Sequence, residues 1–296
     1  MTPVNAATMN VFPPCHFKSV VLVALLVVSF GNAASAVDDT KGIDVGGYKL
    51  HVMVAGSGSP AVVFENGLGE PLDTWKNVQP EVAKLTTTIS YDRGGLGQSD
   101  PAPGTAPRSR QDLADELHRL LQAIKIPGPY ILVGHSLGGA VVEVFAHTYP
   151  QEVAGLVLVD PEDSRLIELL KAKLQPDVWA AREKILSSDK LPPPIKREFD
   201  GMMSKQESPE SVLPFPAVPV VLLTGTQKNP DFPGNPVEQD LKLDLHNQLA
   251  AKVPDTEHVL VPESRHYIQD DAPQQVIRAV GRVLLKSRAK NMPPQN

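Results

Sequence analysis

The sequence is poor in cysteine and in clustered positive charge. One Cys among 296 residues allows no internal disulfide and no zinc site built from several thiolates. The net charge is -6 and no block of Lys and Arg is present, so the positive surface that nucleic-acid binding requires is missing. With 42% apolar and 21% charged residues, the composition is typical of a globular chain and excludes a disordered or membrane-embedded one.

The chain also lacks a long hydrophobic run near its amino terminus, where a short one stands instead. Residues 20–30 are almost all apolar, with His16 and Lys18 before them and the small-x-small pattern Ala34-Ser35-Ala36 after them. A membrane-spanning helix needs roughly 20 apolar residues, about twice this length. The pattern is therefore typical of a secretory signal peptide, and an uncleaved membrane anchor is the alternative.

Cleavage of this segment, residues 1–36, would define the mature protein. It would remove Cys15 and leave residues 37–296, a chain without Cys. We expect that chain to be secreted or periplasmic, without stable membrane association, and stabilised by its apolar core alone.

From Gly42 onward, short apolar runs alternate with segments of helical periodicity. Leu113, Leu117 and Leu120, for example, fall on one face of a helix. The runs rich in Val, Ile and Leu are typical of buried parallel strands and occupy residues 49–54, 61–65, 87–91, 130–133, 156–160, 218–224 and 258–261. The alternation predicts one α/β domain with a doubly wound, mostly parallel sheet.

Residues 161–216 interrupt this alternation and contain no strand-like run. Two helix-like stretches, residues 164–174 and 178–186, are followed by a segment rich in proline that predicts a loop. An insertion of about 50 residues in a compact α/β domain favours a small helical cap over a linker.

A Gly-x-Ser-x-Gly motif stands at one strand-to-helix junction. Gly134-His135-Ser136-Leu137-Gly138-Gly139 follows the strand at residues 130–133 directly and precedes a helix-like segment. A tight bend at Ser136 needs neighbours without side chains, and the glycines supply them. We expect a strained, exposed Ser136 hydroxyl at the carboxyl edge of the sheet, with the Leu137 amide at a helix amino terminus.

This junction resembles the nucleophile elbow of the α/β-hydrolase fold family, and the resemblance extends over residues 42–288. Asn66-Gly67-Leu68-Gly69-Glu70 is similar to the family's oxyanion loop, although Asn66 stands where members often carry His. By that match the backbone amides of Leu68 and Leu137 would form an oxyanion hole. The resemblance implies no cofactor and no metal.

A further loop of the family follows the next predicted strand. Tyr91-Asp92-Arg93-Gly94-Gly95-Leu96-Gly97-Gln98-Ser99 resembles it. We expect Asp92 and Arg93 to be structural, because a charge pair that braces a loop is the commoner role for such residues.

His266 occupies the position of the family's catalytic base. It lies in Pro262-Glu263-Ser264-Arg265-His266-Tyr267, just beyond the last predicted strand and before a terminal helix. Among the eight His residues, His135 is a filler position of the elbow motif and His258 lies within a strand. The family's chain order of Ser, acid and His therefore implies that His266 is the general base.

Two aspartates remain open as the acid that would orient His266. Members commonly place it a few residues after the strand that ends here at Thr224-Gly225, but Lys228 stands there and Asp231 follows. Some members place it after the strand that follows the elbow helix, where Asp160 ends a buried run. A rigid strand end holds a carboxylate better than a loop rich in Pro and Gly, which favours Asp160; a turn at Asp160-Pro161 is the structural alternative.

Together these residues predict a secreted serine hydrolase that cleaves a small-molecule carboxylic ester or related acyl bond through an acyl-enzyme. Dehalogenases and epoxide hydrolases of this fold use an Asp nucleophile, so Ser136 argues against both. Two alternatives stay open: a carbon-carbon bond hydrolase or cofactor-free peroxidase with the same triad, and a ligand-binding protein without catalysis.

Export can be tested directly. Amino-terminal sequencing of protein secreted by a host with signal peptidase should begin at or near Val37, because cleavage is expected after Ala36. A mature protein that keeps residues 20–30 and fractionates with membranes would identify this segment as an anchor.

Overall fold

The structure is a computed structural model that describes residues 39–185, 188–204 and 214–290. The signal peptide predicted over residues 1–36 lies outside these ranges. Within them the strands are β1 (Asp39–Asp44), β2 (Lys49–Ala55), β3 (Val62–Glu65), β4 (Thr88–Tyr91), β5 (Tyr130–His135), β6 (Val153–Val159), β7 (Val220–Gly225) and β8 (Thr256–Val261).

The described strands form one eight-stranded sheet in the order β1-β2-β4-β3-β5-β6-β7-β8. β2 pairs antiparallel with β1 and with β4, and every other neighbouring pair is parallel. This confirms the mostly parallel sheet predicted from the apolar runs. β1 is not among the predicted strands, because Asp39-Thr40-Lys41-Gly42-Ile43-Asp44 contains no apolar run.

Helices cover both faces of the sheet. They are α1 (Gln79–Val82), α2 (Arg110–Ile124), α3 (Leu137–Thr148), α4 (Leu166–Lys173), α5 (Pro176–Ile185), α6 (Pro193–Met202), α7 (Asn235–Lys252), α8 (Ile268–Asp271) and α9 (Pro273–Lys290). In β5, Leu132 shares a core cluster with Leu117 and Phe145, whereas its neighbour Ile131 shares one with Val280 of α9. Successive residues of one strand thus face two separate cores, as a doubly wound sheet requires.

The length and the hydropathy of these helices bear on whether any of them could span a membrane. Within the described part of the chain, none of them is both long enough and apolar enough to cross a bilayer.

The connection between β6 and β7 carries α4, α5 and α6, which we call the cap helices. The structure corrects one prediction here, because α6 begins at Pro193 where a proline-rich loop was expected. Pro192 is extended, and Pro193 and Pro194 occupy the first turn of the helix. A first turn tolerates proline, since its N–H groups have no acceptor within the helix.

A fully buried Arg93 joins the cap to the sheet. Its guanidinium donates to Glu65 Oε1 at 2.8 Å, at the end of β3, and to the backbone carbonyls of Asn66 and Gly67 at 2.6 Å each. It also donates twice, at 2.7 Å, to the buried carboxylate of Glu198 in α6. All five of its N–H groups can therefore be satisfied inside the protein.

The expected charge pair between Asp92 and Arg93 is not what braces this loop. Asp92 lies 3.0 Å from His51 Nδ1 instead, and it accepts from the backbone amides of Leu72 and Gln98. Both residues have structural contacts, as expected, but the carboxylate and the guanidinium bind other groups of the protein.

Loss of the Arg93 side chain should destabilise the fold. Arg93→Ala would leave Glu65 and Glu198 buried without a cation, and we expect it to lower the free energy of unfolding by about 3–5 kcal/mol. Equilibrium denaturant unfolding measures this. The matched control is Arg282→Ala, which breaks a pair with Glu257 whose side chains are 39% and 38% exposed and should cost at most about 1 kcal/mol. Equal losses in the two variants would contradict the structural role given to Arg93.

Candidate active site

Ser136 sits on a strained bend between β5 and α3. Its φ is 51° and its ψ is -120°, so the backbone is in a region that residues with a side chain rarely adopt. A Cβ atom on Gly134 would lie 2.3 Å from the carbonyl oxygen of Gly138, and one on Gly138 would lie 2.5 Å from the carbonyls of Glu65 and Asn66. The bend thus needs both glycines, and it presses the start of α3 against the end of β3.

The structure brings Ser136, His266 and Asp160 into one hydrogen-bonded chain. The Ser136 hydroxyl lies 2.9 Å from His266 Nε2, and His266 Nδ1 lies 2.7 Å from Asp160 Oδ2. Asp160 follows β6 directly, and His266 lies in the loop between β8 and α8. Because β5, β6 and β8 run parallel, their carboxyl ends meet at one edge of the sheet. This geometry allows His266 to accept the Ser136 proton while Asp160 accepts the Nδ1 proton.

Among the described contacts, none joins the other candidate acid to this hydrogen-bonded chain. Asp231 is exposed, and its backbone amide donates to Asn229 Oδ1 at 3.2 Å. Among the described contacts of His266 Nδ1, the carboxylate is that of Asp160. The catalytic roles of these residues stay predictions, but the geometry that a triad requires is present with Asp160.

Asp160 is held by three donors. Its Oδ1 atom accepts from the Gly225 amide at 2.9 Å, and its Oδ2 atom accepts from Lys242 Nζ at 2.6 Å as well as from His266. Burial alone would raise the pKa of this carboxyl, but the Lys242 charge and the His266 hydrogen bond outweigh it and hold the pKa well below its usual value. Asp160 therefore stays ionised at any pH where the protein is expected to work.

Lys242 is not among the site residues predicted from the sequence. The signal was weak but present, because Lys242 lies on α7 three residues before Leu245 and four before His246, on the side of the helix that is buried. A charged residue at an inward position of a helix needs a partner of opposite charge.

The elbow residue His135, read from the sequence as a filler position, connects two loops. Its Nε2–H donates to the backbone carbonyl of His266 at 2.9 Å, and its Nδ1 lies 3.1 Å from Glu70 Oε2. Glu70 also accepts from the Gly67 amide at 2.8 Å. The buried His135 ring therefore holds the predicted oxyanion loop and the His266 loop in one arrangement.

The His266 ring is 41% exposed, which leaves it accessible to a small molecule. Partial burial of the ring lowers its pKa, and His135 and Lys242 lower it further, whereas the hydrogen bond and the charge of Asp160 act in the opposite direction. His266 is consequently neutral, the form that a general base needs, down to mildly acidic pH.

The loop that carries Leu68 is fixed on both sides. The Gly67 amide donates to Glu70, and the Gly69 amide donates to Glu198 of α6 at 3.1 Å. Asn66, which replaces the family's frequent His, donates to the Tyr91 carbonyl at 2.8 Å and accepts from Trp75 Nε1 at 2.8 Å. Asn66 thus anchors the loop, while the oxyanion roles of Leu68 and Leu137 stay predictions.

Across residues 39–185, 188–204 and 214–290, no group of three or more His, Cys, Asp and Glu side chains is arranged to hold a metal ion.

Comparisons of sequence agree with this fold. A family model described as alpha/beta hydrolase fold matches residues 60–190. Uncharacterized protein Rv2715 of Mycobacterium tuberculosis (strain ATCC 25618 / H37Rv) is 40% identical over 115 residues, which is 39% of this chain and 33% of that protein. Soluble epoxide hydrolase of Corynebacterium sp. (strain C12) is 33% identical over 117 residues, 39% of each protein. The chain thus spans well under half the length of the curated relatives it matches.

A solved structure matches nearly the whole fold. The thermophilic esterase from Thermogutta terrifontis superposes with a TM-score of 0.61 at 21% identity, over 84% of this chain and 99% of that one. At this identity the likeness speaks for the fold alone. Taken with the family match across the segment that contains the elbow, it shows that the chain has the α/β-hydrolase fold.

Proposed function

We propose that this protein is a serine hydrolase that cleaves a carboxylic ester or a related acyl bond through an acyl-enzyme. The observation that carries the proposal is the hydrogen-bonded chain from the Ser136 hydroxyl through His266 to Asp160. The likeness to a solved esterase supports it. As part of the proposal the protein acts outside the cytoplasm, which rests on the signal pattern of residues 1–36 alone.

In the first half of the reaction Ser136 is the nucleophile. His266 Nε2 takes the hydroxyl proton as Ser136 Oγ bonds to the acyl carbon, and the amides of Leu68 and Leu137 stabilise the oxyanion. The tetrahedral intermediate collapses, the bond to the alcohol oxygen breaks, and the alcohol leaves with the proton from His266. Asp160 keeps the Nδ1 proton in place and stabilises the imidazolium that forms between these steps.

In the second half water replaces the alcohol. His266 removes a proton from water as the oxygen bonds to the acyl carbon, and collapse of this second intermediate returns the proton to Ser136 Oγ and releases the acid. No step needs a group other than these residues, substrate and water.

The relative named as an epoxide hydrolase raises a competing chemistry. Enzymes of this fold that open epoxides use a carboxylate nucleophile, and the elbow here carries Ser136. The proposal therefore remains with acyl transfer.

Ser136 should be the residue that a fluorophosphonate probe labels. Labelling requires both the exposed elbow hydroxyl and a base in contact with it, so Ser136→Ala should abolish labelling and turnover of p-nitrophenyl esters while the fold is kept. Intact-mass spectrometry and an ester panel measure this. The matched control, Ser57→Ala at an exposed loop position, should label like the parent. Labelling that persists in Ser136→Ala, or a parent that never labels and turns over no ester, would overturn the proposal.

The two candidate acids can be separated by paired substitutions. Asp160→Asn should lower kcat by about 10⁴-fold, because an amide next to His266 Nδ1 favours the wrong tautomer and no longer stabilises the imidazolium. Asp231→Asn should stay within a few fold of the parent, and circular dichroism should show that both variants are folded. The reverse ranking of the two variants would assign the acid to Asp231.

A further inference from the structure

The contacts of Asp160 contain one charge that the proposed reaction does not use. Lys242 Nζ lies 2.6 Å from Asp160 Oδ2, and His266 Nδ1 lies 2.7 Å from the same oxygen. The Lys242 side chain is 8% exposed and Asp160 is fully buried. A cation this close to the acid must influence how strongly the acid attracts the proton of His266.

A second side chain of α7 holds this helix beside Asp160. One turn further along the helix, His246 Nε2–H donates to the Pro161 carbonyl at 3.0 Å, and His246 Nδ1 accepts from the Thr224 hydroxyl at 2.7 Å. Lys242 and His246, which lie on one face of α7, therefore bind Asp160 and Pro161 respectively. Such double anchoring keeps the ammonium on the acid rather than in solvent.

We propose that Lys242 is a positioning residue of the Ser136–His266–Asp160 chain, which holds Asp160 ionised and in place and keeps His266 neutral in mildly acidic solution. This inference rests on the proposed function, because it concerns the protonation of the same base.

The sign of the effect follows from the charges around His266. Asp160 favours the imidazolium, while Lys242 disfavours it and partly cancels Asp160 because both contact the same oxygen. Other titratable groups of the described residues also face this region. They are His135 and Glu70, which contact each other, Tyr267, which packs against the His266 ring, and His246 with its neighbour His258. Burial lowers the pKa of His246 to about 4, so this ring adds no charge at neutral pH.

The consequence is a shift in the pH range of activity. The active form has His266 neutral, so the rate is full above the pKa of His266 and falls as the pH drops through it. That pKa is already lowered in the parent. Loss of the Lys242 charge should raise it, and the acid limb of the pH profile should move to higher pH by about one unit.

The experiment measures the rate of Ser136 labelling by a fluorophosphonate as a function of pH, with the full chain. The parent should show an acid midpoint below the ordinary His value of about 6.5. Lys242→Met should move this midpoint upward by about one unit. Lys242→Arg, which keeps the charge, should restore a midpoint near that of the parent. The matched control Lys286→Met removes the same charge from an exposed pair with Asp255 and should leave the midpoint unchanged.

The outcomes separate this inference from the proposed function. If Lys242→Met does not fold, Lys242→Gln removes the charge while it keeps a hydrogen-bond donor, and the same upward shift is expected. A folded neutral variant whose labelling slows equally at all pH values, with an unmoved midpoint, would overturn the role of Lys242, as would a parent midpoint at or above about 6.5. A parent that never labels at Ser136 would overturn the proposed function itself.

Discussion

The buried guanidinium of Arg93 fixes the relative positions of β3, the loop after it and the cap helix α6. A buried cation is stable only when its N–H groups are all satisfied, and here two carboxylates and two carbonyls satisfy them. The loop that carries Leu68 cannot move without breaking these bonds. Glu198, which lies 129 residues after Gly69 in the chain, also accepts from the Gly69 amide. The cap is thereby part of the scaffold that shapes the candidate oxyanion hole.

A second contact, between the buried His135 and the partly buried Glu70, links this scaffold to the predicted base. His135 precedes Ser136 in the elbow, holds the His266 loop through a backbone carbonyl and approaches Glu70 in the Leu68 loop. The predicted nucleophile, base and oxyanion loop are thus joined through one side chain as well as through their own strands. Rigid support of this kind keeps catalytic groups within the small tolerances that acyl transfer requires.

The sequence could predict what local patterns encode. Apolar runs predicted seven of the strands, and the glycine spacing predicted the bend at Ser136. The chain order of the similar family pointed to His266, and the rigidity of a strand end favoured Asp160 over Asp231. The rest depends on contacts between distant residues: Arg93 pairs with Glu198 across 105 positions, and Lys242 with Asp160 across 82. α6 was missed for a different reason, since proline is read as a breaker although a first helical turn accepts it.

These contacts also explain why His266 is suited to be the group that exchanges protons. Two carboxylates that interact with it, those of Asp160 and Glu70, each have a nitrogen partner of their own, Lys242 for Asp160 and His135 for Glu70. The pKa of Asp160 and that of Glu70 both lie below their usual values, because these partners outweigh burial. In the proposed reaction these neighbours would therefore keep their charges. The proton taken from Ser136 would stay on His266 until the leaving alcohol accepts it, and the proton taken from water would stay there until Ser136 accepts it.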